Sequence, residues 1–406
     1  MFRYAFLLLA LTAPVAAQEA PEPRPDRSVM DAAAQSALDD WASAYRGRAL
    51  VQGVPRAVLD PVLDGLTLRP EVVAADRDRR AMQQPVWTYF DTAITEERIE
   101  AGRAAMARET RILEAIESRY GVEPQIIAAI WGIESDYGRD SALDDGLAVL
   151  ASLAEGARRP AAFEAQLTAA LKIVEAGDVE ASDMSAAIDG TMGQTGLLPT
   201  TLIVHGVDFD GDGRRDVWDD SADALATTAA FLSSYGWVPG QPWGVEVTLP
   251  DGFDYGLARR AETQLPSEWA ELGVTGTDDA PVDDFGPASI LLPAGAEGAA
   301  FLIFPNFSVL ERYDATDAWP LAVGLLSDGL TGGDALAADW PRDDRILTEQ
   351  ELTEMQRLLT QSGFDTFGID GRVGPLTIAA IRAFQTDRGM VPDGYASLRV
   401  LRALRD

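Results

Sequence analysis

The stretch Pro124–Gly138, PQIIAAIWGIESDYG, carries the first candidate for chemistry. A proline suits a helix start there and a glycine its stop. Ile127, Ile130, Trp131 and Glu134 recur at i, i+3, i+4 and i+7, so Glu134 lies on the apolar face of that helix. Desolvation on such a face raises the pKa of a carboxyl group. A carboxylic acid still protonated near neutral pH can act as a general acid, for example toward a glycosidic oxygen. The alternative is a structural glutamate paired with one of the arginines. Asp136 follows by two and faces elsewhere, so this helix offers no carboxylate pair. A glycosidase with two catalytic carboxylates would need the second from a distant loop. Trp131 fits either the core or a wall on which a sugar stacks.

The second candidate is an aspartate-rich loop. Asp208, Asp210 and Asp212 alternate, Gly213 sits where a sharp turn is needed, and Arg214 would offer its backbone carbonyl. This matches the start of an EF-hand loop and would hold Ca²⁺ in a structural role. Asp219 stands at the twelfth position, where a glutamate reaches further. A cluster of Asx turns without metal is the alternative.

Composition excludes several other chemistries. The 406 residues contain no cysteine and one histidine, His205. Thiolate sites, disulfides, His-based metal clusters and His-dependent triads are thereby removed. His205 has no partner motif and reads as structural. Lys and Arg number 33 against 65 Asp and Glu, a formal charge of −32. That balance disfavours nucleic acid and anionic lipid as ligands, because both are bound through cationic neutralisation. No cofactor is called for by any motif; calcium is the one ion the sequence suggests.

The elements that must position these residues follow from pattern. Residues 1–17 read as a signal peptide: Arg3, an apolar run from Phe6 to Leu11, and small residues at Val15-Ala16-Ala17. The run is short of the ~20 residues that span a bilayer, so the mature chain has no transmembrane anchor. Residues 18–27 are a Pro-rich, charged tail. From Ser28 to about Ala176 the spacing is helical, and a further helix covers Ala222 to Ser234. Trp243–Pro250 alternates like a strand, Ser289–Leu292 and Ala300–Phe304 read as a hairpin, and helix returns at Thr316–Leu330. Residues 333–347 carry Gly, Pro and clustered charge and read as a linker. Residues 348–406 form three short helices, opened by a Thr348–Glu351 capping box and by Pro375.

The motif Ala129–Gly138 resembles the catalytic helix of the bacterial lytic murein transglycosylase B family. Thr191-Met192-Gly193-Gln194-Thr195 with Pro199 resembles its second motif. Asp208–Trp218, Trp243–Val247 and Asn306–Val309 with Arg312-Tyr313 follow in the same order. Residues 348–406 resemble a peptidoglycan-binding module. The resemblance implies a mainly α protein: a lysozyme-like α+β catalytic region with a small β subdomain over residues 28–332, then the three-helix module. It implies cleavage of the MurNAc–GlcNAc β-1,4 bond of peptidoglycan to 1,6-anhydromuramoyl ends, in the periplasm. One glutamate, here Glu134, serves as acid and then base while the 6-hydroxyl of the sugar attacks. Trp131, Gln194, Tyr313 and Asp314 would contact the glycan, and Asp223 would complete the cation site. The chain departs from the family pattern at Ala187, Gly196, Phe231, Asp314 and Trp319. Those departures alter expected polar contacts. They leave a hydrolytic muramidase and a non-catalytic wall-binding protein as alternatives.

Overall fold

A computed structural model describes residues 27–78, 84–139 and 144–406. The signal peptide and most of the tail expected at the N-terminus lie outside the described residues. Helix Arg27–Val51 opens the described chain, and no described helix is long and apolar enough to cross a membrane.

Helix Pro124–Ser135 runs through the middle of the catalytic region. Sequence spacing assigned it one apolar face. In the structure Ile126, Ile127, Ala128, Ala129, Ile130 and Trp131 are all buried, so the helix is covered on nearly every side. Helices Glu96–Arg108, Thr110–Tyr120, Ser221–Ser234 and Ala318–Leu330 pack around it. A second core joins the N-terminal helix to helices Gly146–Gly156 and Pro160–Ala176 through Leu38, Tyr45, Leu150, Leu167 and Leu171. Against the second core lies a short ladder, Asp144–Asp145 paired with Ser185–Ala186, that no sequence pattern announced.

The small β subdomain is an antiparallel sheet in the order Thr275–Gly276, Gly244–Thr248, Ala300–Ile303, Ser289–Leu291. Val245 and Ile290 both stand opposite Leu302, so the expected hairpin and strand are present in one sheet. Leu302 and Phe304 fill the core on one face of the sheet, and Phe301, on the other face, joins the helical core.

The C-terminal module consists of helices Glu349–Gln361, Pro375–Asp387 and Leu398–Arg405. The capping box forms as read, with Thr348 Oγ accepting from the Glu351 backbone and Glu351 Oε2 from that of Thr348. Two buried glutamines pin its turns in the same way. Gln356 Oε1 accepts from the backbone of Asp370 and Gly371, and its amide donates to the Asp370 carboxylate. Gln385 Oε1 accepts from Gly394, and its amide donates to Asp393. Gln385 therefore faces inward and serves the fold.

The segment read as a linker is packed. Trp340 stacks near Trp87 at 6.1 Å and meets Phe90 at 5.6 Å. The backbone of Ala337 and Ala338 donates to the Glu246 carboxylate, and Arg342 makes two bonds to Asp91. Beyond it the module docks on the β subdomain. Asp393 Oδ2 accepts from Ala296, and Arg382 donates to the carbonyl of Ala258. Composition marked Gly, Pro and charge; it could not show that one tryptophan anchors the strap. Replacing Trp340 with alanine should therefore destabilise the catalytic region by about 2 kcal/mol, less than a fully buried tryptophan would cost. Thermal unfolding of the variant checks this, and an unchanged melting temperature would contradict the packing.

Candidate active site

Glu134 sits in the last turn of the central helix and lines a 140 Å³ pocket. The helix stops one residue later. Asp136 and Tyr137 both adopt left-handed backbone, at φ 50° and 63°, followed by Gly138 at 76°. The expected stop at Gly138 thus comes three residues early, through a strained turn. Strain of this kind persists only where the surroundings over-determine it. Here they do. The Tyr137 hydroxyl donates to the carbonyl of Arg98, and its ring fills space that a side chain at Gly102 or Gly132 would occupy. The glycine inside the helix motif is therefore explained by Tyr137.

The opposite wall is the loop Met192–Leu197, closed by paired backbone hydrogen bonds between its two ends. Ser135 ties it to the helix: its hydroxyl donates to the Gln194 carbonyl at 2.6 Å and accepts from Gly138. Gln194 lines the pocket, but both ends of its side chain are engaged. Oε1 accepts from the Trp131 indole and Nε2 donates to the Trp218 carbonyl. It braces the loop from within the pocket lining. Trp131 is only 2% exposed and packs edge-on against Tyr137, within the helical core.

Behind the pocket lining, Glu134 meets an aromatic group. Trp319 donates its indole N–H to Glu134 Oε1 at 2.7 Å. Its ring stacks on Tyr313 at 5.0 Å and 8°, and Phe231 meets Tyr313 edge-on at 5.2 Å. Tyr313 donates to the carbonyl of Thr195. Asp314, half-buried, caps its own turn by accepting from Thr316. Tyr89, on helix Val86–Ala93, belongs here too and carries no motif that would flag it. Burial, helped by the charges of Glu134 and Asp314, pushes its hydroxyl pKa upward. Ala187 and Gly196 line the pocket. His205 packs against Phe231 and Tyr235 and takes no part in the pocket.

Burial pushes the Glu134 carboxyl up to about 8; nearby Asp189 and Asp314 push the same way, and the Trp319 hydrogen bond opposes them. The site thus holds a protonated acid at neutral pH, in a pocket that also displays Asp183 and Asp219.

The aspartate loop lies apart from this pocket. Oxygens of Asp208, Asp210 and Asp212 all fall within 4.8 Å of one another, on exposed side chains. Asp208 accepts from the backbone of Gly211 and Gly213, Asp210 from Asp212, and Asp212 from Arg214. Asp223 stands outside the cluster. Its two oxygens accept from the backbone of Phe209 and Asp216, so it anchors the loop from below and is not placed as a fourth ligand.

Residues 37–328 match the family described as Transglycosylase SLT domain, and residues 348–404 the Putative peptidoglycan binding domain. The chain belongs to this lytic transglycosylase family, a class of glycan-cleaving lyases. Among individual proteins it is similar to SltB3 from Pseudomonas aeruginosa, solved with NAG-anhNAM-pentapeptide and with NAG-NAM-pentapeptide. The identity is 42%, with 91% of this chain and 99% of that one covered and a TM-score of 0.86. Membrane-bound lytic murein transglycosylase B of Escherichia coli (strain K12) is 28% identical over 245 residues, 60% of this chain and 66% of the relative, just under two thirds of its length. Escherichia coli Slt35 in complex with calcium shares the fold at 24% identity and a TM-score of 0.59, covering 73% of this chain and 92% of that one.

The raised pKa has a consequence for stability. A glutamate ionises near 4.5 when unfolded and at about 8 here. The folded state binds the proton more tightly, so its contribution is full below about 4.5 and is lost as pH rises through about 8. Glu134→Gln carries no such group. Its melting temperature, relative to the parent chain, should rise steadily between those two pH values, and a constant difference across the range would deny the buried acid.

Proposed function

We propose that this chain cleaves the MurNAc–GlcNAc β-1,4 bond of peptidoglycan with Glu134 as its single acid and base. The observation that carries the reading is a buried carboxyl, protonated at neutral pH, on a residue that lines a pocket. In the first step Glu134 donates its proton to the glycosidic oxygen, and the C1–O bond breaks as positive charge develops at C1. The resulting carboxylate then takes the proton of the sugar's 6-hydroxyl, whose oxygen bonds to C1. The products are a 1,6-anhydromuramoyl end and a new GlcNAc hydroxyl, with no water consumed and no cofactor required. Asp314 and Asp189, whose charges reach Glu134, supply negative potential beside the developing cation.

Tyr313 and Trp319 wall the acid off from bulk water. Tyr313, Tyr89 and Asp314 stand near the acid and are glycan contacts this reading favours; Ser185, Thr191, Gln194 and Trp218 line the pocket itself and offer further polar or stacking surface. The catalytic region is taken as 28–332 and the wall-binding module as 348–406; matches over 37–328 and 348–404 support that reading. A periplasmic setting, after removal of residues 1–17, follows from the signal pattern and from the substrate. Calcium fits the Asp208–Asp212 loop, because three clustered carboxylates with no cation repel one another. Asp208, Asp210 and Asp212 would hold it with the Arg214 carbonyl. It would stiffen the loop that leads to Trp218 and do no chemistry.

Two measurements test these readings. Mass analysis of fragments released from isolated sacculi should show anhydromuramoyl ends. Glu134→Gln should lower that release by at least about two orders of magnitude, the usual worth of general acid–base catalysis. Hydrated reducing ends would identify a muramidase, and undiminished release would remove Glu134 from the mechanism. For the loop, Ca²⁺ should raise the melting temperature of the parent chain and leave that of Asp208→Ala/Asp212→Ala unchanged, since a ligand of the folded state stabilises it by mass action. Identical melting of the parent chain in Ca²⁺ and in chelator would reject the site.

A further inference from the structure

We infer that Trp319 and Gly196 form a positioning pair for the Glu134 carboxyl group: the indole N–H holds Oε1, and the bare backbone of Gly196 leaves the space that Oε2 occupies. The inference rests on Glu134 being the catalytic acid and adds which of its oxygens delivers the proton. Sequence alone reads both positions as losses. The structure reads them as complementary.

The geometry is explicit. Trp319 donates to Oε1 at 2.7 Å. A Cβ at position 196 would collide with Oε2 and lie 2.6 Å from Cδ, on a residue already at φ +65°. The carboxyl is thus gripped at one oxygen and nested at the other. Indole N–H is a donor with no acceptor lone pair in the ring plane. Oε1 is therefore the accepting oxygen, and because a carbonyl oxygen accepts better than a hydroxyl oxygen, the grip favours the acid proton on Oε2. Gly196 and Glu134 line the same pocket, so the proton is presented where a glycosidic oxygen can enter.

The grip is itself held. Trp319 stacks on Tyr313, and Tyr313 donates to the carbonyl of Thr195, the neighbour of Gly196. Trp319, Tyr313, Thr195, Gly196 and Glu134 close a ring of contacts. A shift of any member displaces the carboxyl. Other groups face Glu134 as well: Tyr89 from helix Val86–Ala93, Asp189 from the loop before Thr191, Tyr313 and Asp314 from the turn after Leu310. Asp183 and Asp219 stand at the pocket wall. All of them are retained in the variants below.

The two members have opposite electrostatic effects, and that makes the test sharp. The N–H stabilises the ionised form, so its loss favours the protonated acid. Trp319→Phe keeps the stacking and removes the donor. The alkaline limb of its pH–rate profile on sacculi should move up by about one pH unit, the worth of one hydrogen bond to a charged group. Turnover at saturating substrate should fall while KM changes little. Trp319→Tyr, which returns an O–H donor, should bring the limb back toward the parent value. Gly196→Ala should push the carboxyl toward solvent, where hydration favours the ion, and move the limb down. General structural damage would move both variants the same way.

A titration of the Glu134 carboxyl by ¹³C NMR, with Glu134→Gln to assign the resonance, reads the same shifts without turnover. It separates this inference from the catalytic reading: opposite shifts with an active Glu134→Gln would keep the pair and discard the mechanism. Superimposable titrations of Trp319→Phe and the parent chain would overturn the pair. If Trp319→Phe does not fold, the Gly196→Ala titration decides alone, and an unchanged value there overturns it equally.

Discussion

A carboxyl group kept protonated inside a mostly apolar helix bundle is the constraint on which the catalytic region depends. A carboxylate in such surroundings is costly, and among the described residues it meets one neutral donor where a structural ion pair would give it a cation. The helix C-terminus adds to the cost, since its dipole disfavours negative charge. The neighbourhood is built to maintain that condition. Tyr137 in its strained turn, the two glycines that admit its ring, and the Ser135 hydroxyl all fix where the helix ends. Moving that end by one residue would turn Glu134 by about 100° around the helix and out of the pocket.

The rest of the catalytic region reads as support for this one group. The loop Met192–Leu197 is braced by Gln194 between two tryptophans and is capped by Tyr313. The aspartate loop leads directly into Val217 and Trp218, which form the back of that brace. Order imposed on it, by Asp223 from beneath or by an ion within, reaches the pocket through a few residues. The surface beyond is acidic and contributes solubility and field, not shape.

The wall-binding module changes how tethering should be understood. A flexible tether raises the local concentration of a ligand over a volume set by its length. Here the strap around Trp340 and the Asp393–Ala296 contact hold the module against the β subdomain, and a groove of 740 Å³ lies between them. A docked module constrains the orientation in which a polymer meets the cleft as well as its concentration.

Much of this was legible in sequence, for physical reasons that can be named. Helical and strand periodicity reports burial, so the helical body, the β subdomain and the three-helix module were all readable. The capping box at Thr348 and the pinned turns at Asp370-Gly371 and Asp393-Gly394 depend on nearby residues and short-range geometry. Glu134 was visible because a charge on an apolar face is rare and costly. What tertiary structure decided was every contact between residues far apart in the chain. Whether Trp131 faced sugar or core depended on Gln194, and whether the linker was loose depended on Trp87 and Phe90. Asp223 as an anchor, Tyr89 beside the acid, and Trp319 gripping it were invisible for the same reason. Spacing along a chain fixes which face of an element a side chain takes. It carries no information about which distant side chain that face will meet, because the meeting is set by packing of the whole.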